Sequence, residues 1–150
     1  MTDSRAAEIL LVEDSPDDVE LTLAALRRAH IANRVHVARD GEEALAFLLG
    51  DPAAPGRTAE TMPAVILLDV NLPKISGLEV LRRIKEDPVT RLVPVVMLTS
   101  SHQARDIAQS YQLGVNSYIV KPVNFEQFAA SVTQLGMYWL LTNRPVNGFP

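Results

Sequence analysis

The 150-residue chain contains no cysteine, which excludes disulfide bonds, thiolate metal sites and a cysteine nucleophile. It also lacks a surplus of basic residues: the net charge is −4, which does not indicate a general nucleic-acid binder. No apolar run approaches the roughly 18 residues of a membrane span. The N-terminal letters MTDSRAAE lack the basic and then apolar pattern of a signal peptide. We therefore expect a cytoplasmic protein that binds neither nucleic acid nor membrane.

The composition provides enough apolar material for one core. Hydrophobic residues make up 47% of the chain and charged residues 21%, which is typical of a globular domain. A length of 150 residues fits a single domain, which we expect to cover residues 1–142 and to leave an irregular tail at residues 143–150. The segment DPAAPGRTAETMP, residues 51–63, holds three prolines and predicts a surface loop.

Five short β-branched runs alternate with amphipathic segments of helical periodicity. The runs are apolar throughout, which is typical of strands covered on both faces; they are Ile9 to Val12, Val35 to Ala38, Val65 to Leu68, Val95 to Leu98 and Tyr118 to Val120. Strict alternation of strands and helices predicts an α/β fold, a doubly wound five-stranded parallel sheet with helices on both faces.

Capping residues mark where most of the predicted helices begin. Ser15, followed by Pro16 and two acids, predicts the start of the first helix. Asp40, with a glutamate three residues later, predicts a capping box for the second. Ser101 and Asn124 predict the N-caps of the fourth and fifth helices. The third helix is predicted by apolar spacing alone, at Leu78, Leu81 and Ile84.

Polar residues stand where four of the predicted strands end. The first strand leads into Glu13 and Asp14, and the third leads into Asp69. The fourth ends at Thr99 and the fifth at Lys121. In a doubly wound sheet, ligands bind beyond the carboxyl ends of the strands. We therefore expect three acids, a hydroxyl and a lysine to meet in one crevice.

This combination of side chains suits phosphoryl transfer. Neighbouring carboxylates repel one another, and a hard divalent cation such as Mg²⁺, which prefers oxygen ligands, offsets that repulsion. Lys121 offers a compact positive charge to a phosphoryl oxygen, and a carboxylate such as Asp69 can form an aspartyl-phosphate. Taken singly, each residue also fits a helix cap, a turn or a solvated loop charge. Their occurrence at the same end of four strands favours a common site.

Four segments resemble the receiver domain of two-component response regulators: LLVEDSPDD, VILLDVNLPKISGLEVLRRIK, VVMLTSS and SYIVKPV. The resemblance covers residues 8 to 140 and implies a flavodoxin-like sheet with strand order 2-1-3-4-5. It implies that Asp69 is the phosphoacceptor. It also implies that Mg²⁺ is bound by the side chains of Glu13, Asp14 and Asp69 and by the backbone carbonyl of Asn71.

The same resemblance implies the remaining roles. Thr99 and Lys121 are expected to contact the phosphoryl group. Thr99 and Tyr118 are expected to form the conformational switch, with Tyr118 as its aromatic residue. The Lys121–Pro122 peptide is expected to be cis. The phosphoryl donor is expected to be a sensor histidine kinase. The segments VEDSPDDVELTL, RDGEEALAFL and MYW further resemble single-domain regulators that work with phytochrome-type kinases. We therefore expect no output domain, and signalling through changed protein–protein contacts.

Three other functions fit the sequence less well. Phosphatases of the haloacid-dehalogenase type need a second Asp two residues after the nucleophile, where this chain has Asn71, which cannot exchange protons. We therefore expect a non-enzyme with at most slow autodephosphorylation. No feature favours a scaffold that is never phosphorylated. A nucleotide-binding fold is poorly supported, because the chain has neither G-x-G-x-x-G nor a P-loop.

The histidines are scattered and are expected at surface or loop positions: His30, His36 and His102.

The predicted fifth helix is apolar on more than one side at its end. A single stripe suffices to cover the sheet: Phe125, Phe128, Val132, Leu135 and Trp139. Further apolar residues crowd around its end: Met137, Tyr138, Leu140 and Leu141. Because an exposed apolar face commonly marks an interface, we predict a symmetric homodimer through the face formed by the fourth helix, fifth strand and fifth helix. The alternative is that the tail folds back over this face.

Overall fold

The computed structural model describes residues 8–29, 33–51, 54–100 and 104–134. Five parallel strands form its main sheet, in the order β2-β1-β3-β4-β5, which confirms the predicted topology. The strands are β1 (Ile9–Val12), β2 (Val35–Ala38), β3 (Val65–Asp69), β4 (Val95–Thr99) and β5 (Ser117–Val120). Strands β3 and β4 each run one residue further than predicted, so Asp69 and Thr99 belong to the sheet itself.

Five helices connect and cover the strands: α1 (Pro16–Arg28), α2 (Gly41–Leu49), α3 (Gly77–Glu86), α4 (Ala104–Gln112) and α5 (Phe125–Gln134). The predicted cap of α1 is present, since Ser15 Oγ accepts from the Asp18 N–H at 3.3 Å. Asn124 Oδ1 likewise accepts from the Gln127 N–H at 2.8 Å. No helix within the described ranges is long and apolar enough to cross a membrane.

Only one of the two hydrogen bonds of the predicted capping box of α2 forms as expected. Asp40 Oδ1 accepts from the Glu43 N–H at 2.8 Å, as a box requires. The Glu43 carboxylate, however, accepts from the backbone N–H of Arg39, one residue before the cap, rather than from that of Asp40. For α4, the predicted cap Ser101 lies outside the described residues.

The core lies in two layers, one on each face of the sheet. Alternate strand residues such as Leu11 and Leu67 pack with α1 and α5, and those between them, such as Leu10 and Leu68, pack with α2 and α3. Full burial of such a side chain contributes about 1.5–3 kcal/mol. Because both faces of the central strands are covered, their sequences read as continuous apolar runs. The helix layers leave the carboxyl ends of these strands as the edge where polar side chains gather.

The proline-containing segment after α2 has more structure than a loop prediction implies. Gly50–Asp51 and Ala54–Pro55 form a short antiparallel pair, and Ala59–Thr61 form one 3₁₀ turn. Nearby, the His36 ring stacks on Phe47 with ring centroids 4.1 Å apart. His36 is half-buried on β2, and not in a loop, whereas the other two histidines and the tail at 143–150 lie outside the described residues.

Candidate functional site

The carboxyl edge of the sheet gathers the predicted acids around Asp69. Asp69 ends β3 and its side chain is 2% exposed, and Glu13, directly after the neighbouring β1, is fully buried. Asp14, the next residue, is exposed. Each of the three acids offers one carboxylate oxygen, and these oxygens lie within 4.8 Å of one another.

This donor set fits a hard divalent cation. The three ligand atoms are all carboxylate oxygens, which Mg²⁺ and Mn²⁺ prefer over nitrogen or sulfur. Two of the acids are held on strand ends, and the exposed Asp14 opens the group to solvent. Mg²⁺ retains several waters when bound by few protein ligands, so a group with one side open to solvent suits it.

Lys121 lies at the centre of the same crevice, just after β5. Its Nζ is 3.2 Å from Glu13 Oε1, 3.2 Å from Asp69 Oδ2 and 2.9 Å from Asp18 Oδ2. An ammonium group has three N–H donors, and each has a carboxylate acceptor here. The Lys121 side chain is only 12% exposed, so these pairs are screened little by solvent.

Asp18 is the site residue that sequence reasoning missed. Its position after Ser15 and Pro16 predicts only an acid that favours the start of α1, yet in the structure it makes the shortest contact with Lys121. The signal that could have revealed it is its place in the first turn of a helix that begins next to the strand-end acids. Acids there serve the helix dipole and also face whatever occupies the crevice.

Burial and like charge shift the pKa of Glu13 upwards. Burial is the main cause; the hydrogen bond with Asp69 and the charge of Asp69 add to it and raise the pKa of Glu13 to about 7. The Ser15 N–H, 3.2 Å from Glu13 Oε2, and the Lys121 charge act in the opposite direction. Burial would lower the pKa of Lys121, but its hydrogen bond to Asp18 and the charges of Asp69 and Glu13 raise it above the usual range. The crevice thus holds more negative charge than one ammonium compensates.

A tight loop after β3 fixes the position of Asp69. The Asn71 N–H donates to Asp69 Oδ1 at 3.1 Å, and the Gly77 N–H donates to the Val70 carbonyl at 2.9 Å. A Cβ atom at Gly77 would lie 2.1 Å from the Asp69 carbonyl oxygen, so no side chain fits there. Lys74 adopts the left-handed region with φ 69°. The backbone therefore folds closely around the carboxylate. Ligation by the Asn71 carbonyl stays a prediction.

Thr99 and Tyr118 lie on the neighbouring strands. Thr99 ends β4, is buried, and its carbonyl accepts from the Lys121 N–H at 2.7 Å. Tyr118 is half-buried on β5, with its ring edge-on to Tyr111 at a centroid distance of 6.1 Å. The Lys121–Pro122 peptide is cis. The structure thus places most of the sequence-predicted site residues at the carboxyl ends of the strands: Glu13, Asp14, Asp69, Asn71, Thr99 and Lys121. Tyr118 lies within β5, two residues before its end.

Comparison with known proteins gives a consistent result. The family model described as "Response regulator receiver domain" matches residues 9–133. The response regulator Rcp1 of Synechocystis sp. strain PCC 6803 is 40% identical over 134 residues, which are 89% of each chain. The solved structure of the bacteriophytochrome response regulator AtBRR is 51% identical, with a TM-score of 0.77, covering 89% of this chain and 94% of that one. The Mn²⁺-bound form of Rcp1 is 39% identical, with a TM-score of 0.70, covering 89% and 94%.

Proposed function

The chain belongs to the response regulator receiver family, and on that premise we propose that Asp69 accepts a phosphoryl group from the phosphohistidine of a sensor kinase. An Asp69 carboxylate oxygen attacks phosphorus, the P–N bond to the imidazole breaks, and an aspartyl-phosphate forms. The carrying observation is the buried Asp69 carboxylate, 3.2 Å from an ammonium and within a group of three acid oxygens. The similarity to a bacteriophytochrome response regulator supports a phytochrome-type kinase as the donor.

Lys121 and Thr99 are assigned to the phosphoryl oxygens. Lys121 Nζ already lies against Asp69 Oδ2, so its positive charge stands next to the position that the phosphoryl group will take. Thr99 is one residue beyond Leu98, the residue that pairs with Asp69 in the sheet. Fixed charges and donors aimed at developing negative charge supply most of the catalysis in such transfers.

Receiver domains bind Mg²⁺ at an acidic site. For this chain we assign the binding to Glu13, Asp14 and Asp69, with the Asn71 backbone carbonyl as a fourth ligand. The bound cation supplies positive charge that offsets the repulsion between these acids and the incoming phosphoryl oxygens. The Mn²⁺-bound structure of Rcp1 supports this assignment.

The aspartyl-phosphate is expected to be long-lived. Asn71 stands two residues after Asp69 and donates its backbone N–H to the Asp69 carboxylate. Its amide side chain cannot act as a general base for an attacking water. We therefore assign to the protein the role of a phosphorylated signal, with slow autodephosphorylation, and not that of a phosphatase.

The assignment is tested by incubation with acetyl phosphate and Mg²⁺ and by intact-mass measurement. The wild type should gain one phosphoryl group, and excess chelator should prevent this. Asp69→Asn is nearly isosteric and should remain unmodified, while circular dichroism shows that it is folded. Stoichiometric modification of Asp69→Asn would refute the assignment.

Output is assigned to the face formed by α4, β5 and α5, with Thr99 and Tyr118 as the coupling residues. The Tyr118 ring lies on this face next to Tyr111, so a change in its rotamer alters the surface that a partner meets. Thr99→Ala should still be phosphorylated but should no longer change partner affinity. Thr99→Ser, which keeps the hydroxyl, is the matched control and should respond like the wild type.

On the same face we infer a symmetric homodimer. A groove of about 530 Å³ runs along it and includes both tyrosines and Gln127. Tyr111 is 46% exposed at the wall of this groove. A second copy would cover its ring.

Light scattering after size exclusion tests the dimer in both phosphorylation states. Tyr111→Arg should give a monomer. Leu49→Arg is the control, because Leu49 is 40% exposed on α2, outside this face. A wild type that is monomeric at micromolar concentration in both states would overturn the inference.

A further inference from the structure

We propose that Asp18 is a positioning residue that holds Lys121 in place for phosphoryl transfer to Asp69. The inference rests on the proposed function of Asp69. Asp18 Oδ2 lies 2.9 Å from Lys121 Nζ, closer than either of the other two carboxylates. Asp18 is outside the group of acids whose oxygens could share a metal ion.

The difference between Asp18 and the other partners of Lys121 lies in what happens to them during the reaction. Glu13 and Asp69 both belong to the metal-binding group, so a bound cation competes with Lys121 for their charge. Phosphorylation then converts one Asp69 oxygen into part of an acyl phosphate. Asp18 is neither a predicted ligand nor the acceptor. Of the three partners, it alone keeps the same chemical state throughout.

A constant partner matters because a lysine side chain is long and flexible. Four rotatable bonds separate the backbone from the ammonium, and several rotamers would carry it away from the crevice. The carboxylate of Asp18 restricts these rotamers before the phosphoryl group arrives. Misplacement of a catalytic group by about 1 Å can reduce a rate by up to about 100-fold.

The backbone of α1 gives Asp18 a fixed origin. The residue lies in the first turn, where its N–H donates to the cap residue Ser15 at 3.3 Å. An acid at this position also interacts favourably with the helix dipole. Its side chain is 30% exposed, whereas those of Glu13 and Asp69 are at most 2% exposed. Asp18 therefore contacts Lys121 from the solvent side of the crevice, whereas Glu13 and Asp69 contact it from the buried side.

The test compares Asp18→Ala with Asp17→Ala, its neighbour in the same helical turn. Asp17 is exposed, so this control removes the same charge from the same turn. With acetyl phosphate and saturating Mg²⁺, we expect Asp18→Ala to be phosphorylated about tenfold more slowly than the wild type, and Asp17→Ala to stay within about twofold. The Mg²⁺ affinity of Asp18→Ala should stay within about threefold of that of the wild type, because Asp18 is not a predicted ligand.

Two further variants separate positioning from folding and from charge. Asp18→Asn keeps an oxygen acceptor and is expected to lose less than Asp18→Ala. Asp18→Glu keeps the charge and should recover part of the rate. Melting temperatures of all variants are measured, and if Asp18→Ala is unfolded the comparison is made with Asp18→Asn and Asp17→Asn.

The outcomes are distinct. Equal rates for the position 18 and 17 variants would overturn the inference. A faster Asp18→Ala would also overturn it, since it would mean that Asp18 competes with the phosphoryl group for Lys121. A parallel loss of Mg²⁺ affinity would assign Asp18 to the metal instead. If the wild type itself is not phosphorylated, the proposed function fails, whatever Asp18 does.

Discussion

Glu13 and Glu79 belong to two charged clusters of the same molecule, and their pKa values move in opposite directions. Glu79 on α3 accepts hydrogen bonds from Arg82 and Arg83, which lower its pKa to about 2. Glu13 in the crevice has a pKa raised to about 7, chiefly by burial and then by Asp69. The cluster of Glu79 lies on an exposed face of α3, whereas that of Glu13 lies in the crevice at the carboxyl ends of the strands.

The balance of charge explains the difference. On α3, two arginines face two glutamates within one or two helical turns, and solvent screens what remains. In the crevice, three carboxylates share the Lys121 ammonium and Asp14 adds a fourth. The α3 cluster is therefore balanced by the chain's own charges, whereas the crevice carries an excess of carboxylates, as the proposed binding of Mg²⁺ requires. Such a local conflict inside a well-packed fold commonly marks a functional site.

The largest effect is expected from Lys121→Met, which removes the ammonium group from the crevice. Three carboxylates then lose their ammonium, and loss of one partner of a largely buried pair destabilises strongly. We expect the free energy of unfolding, measured with urea in metal-free buffer, to fall by about 2 kcal/mol. The rate of phosphorylation should fall by about 100-fold, because the charge next to the phosphoryl group is lost.

Lys85→Met is the matched control for this change. Lys85 is also half-buried, and its Nζ lies 3.3 Å from the Arg91 carbonyl and 3.4 Å from the Val93 carbonyl, outside the crevice. Its loss should lower stability but leave the phosphorylation rate unchanged. Equal rates for Lys121→Met and the wild type would contradict the comparison.

An intermediate effect is expected from Asp14→Asn, which tests whether the crevice needs an external cation. Mg²⁺ that binds only the folded state stabilises it by about 1.4 kcal/mol at ten times its dissociation constant. Removing the Asp14 charge relieves repulsion among the neighbouring acids, so in chelator the variant should be at least as stable as the wild type. It should, however, lose most of the increase in stability that Mg²⁺ produces. Thermal unfolding with and without Mg²⁺ measures this, and Glu86→Gln on α3 should keep the full increase. An unchanged response of Asp14→Asn would remove it from the metal site.

The smallest effect is expected from Arg82→Gln in the exposed cluster. Exposed ion pairs contribute little, so Tm should change by about 2 °C or less, and phosphorylation should be unaffected. Because the folded-state pKa of Glu79 is lowered, its contribution is present above the unfolded value of 4.5 and is lost as pH falls toward 2. The advantage of the wild type in urea midpoints should therefore shrink on acidification below 4.5. An advantage that grows there would contradict the assignment.

Local patterns in the sequence determined the elements and most of the site. Ser15, Asp40 and Asn124 cap helices as predicted, because a cap depends on residues two or three positions away. The apolar runs identified the strands, and a parallel sheet brings the carboxyl ends of its strands to one edge. That rule alone placed Glu13, Asp69 and Lys121 together.

Only the tertiary structure decided how these side chains pair. The contact between Asp18 and Lys121 joins residues 103 positions apart, and it depends on how α1 packs beside the turn after β5. No local pattern distinguishes Asp18, which is paired, from Asp17, which is exposed. The raised pKa of Glu13 likewise follows from burial against Asp69, which exists only once β1 and β3 lie side by side. Sequence periodicity located the ends of β3 and β4 to within one residue, but the distances and the exclusion of solvent between strand ends arise from packing.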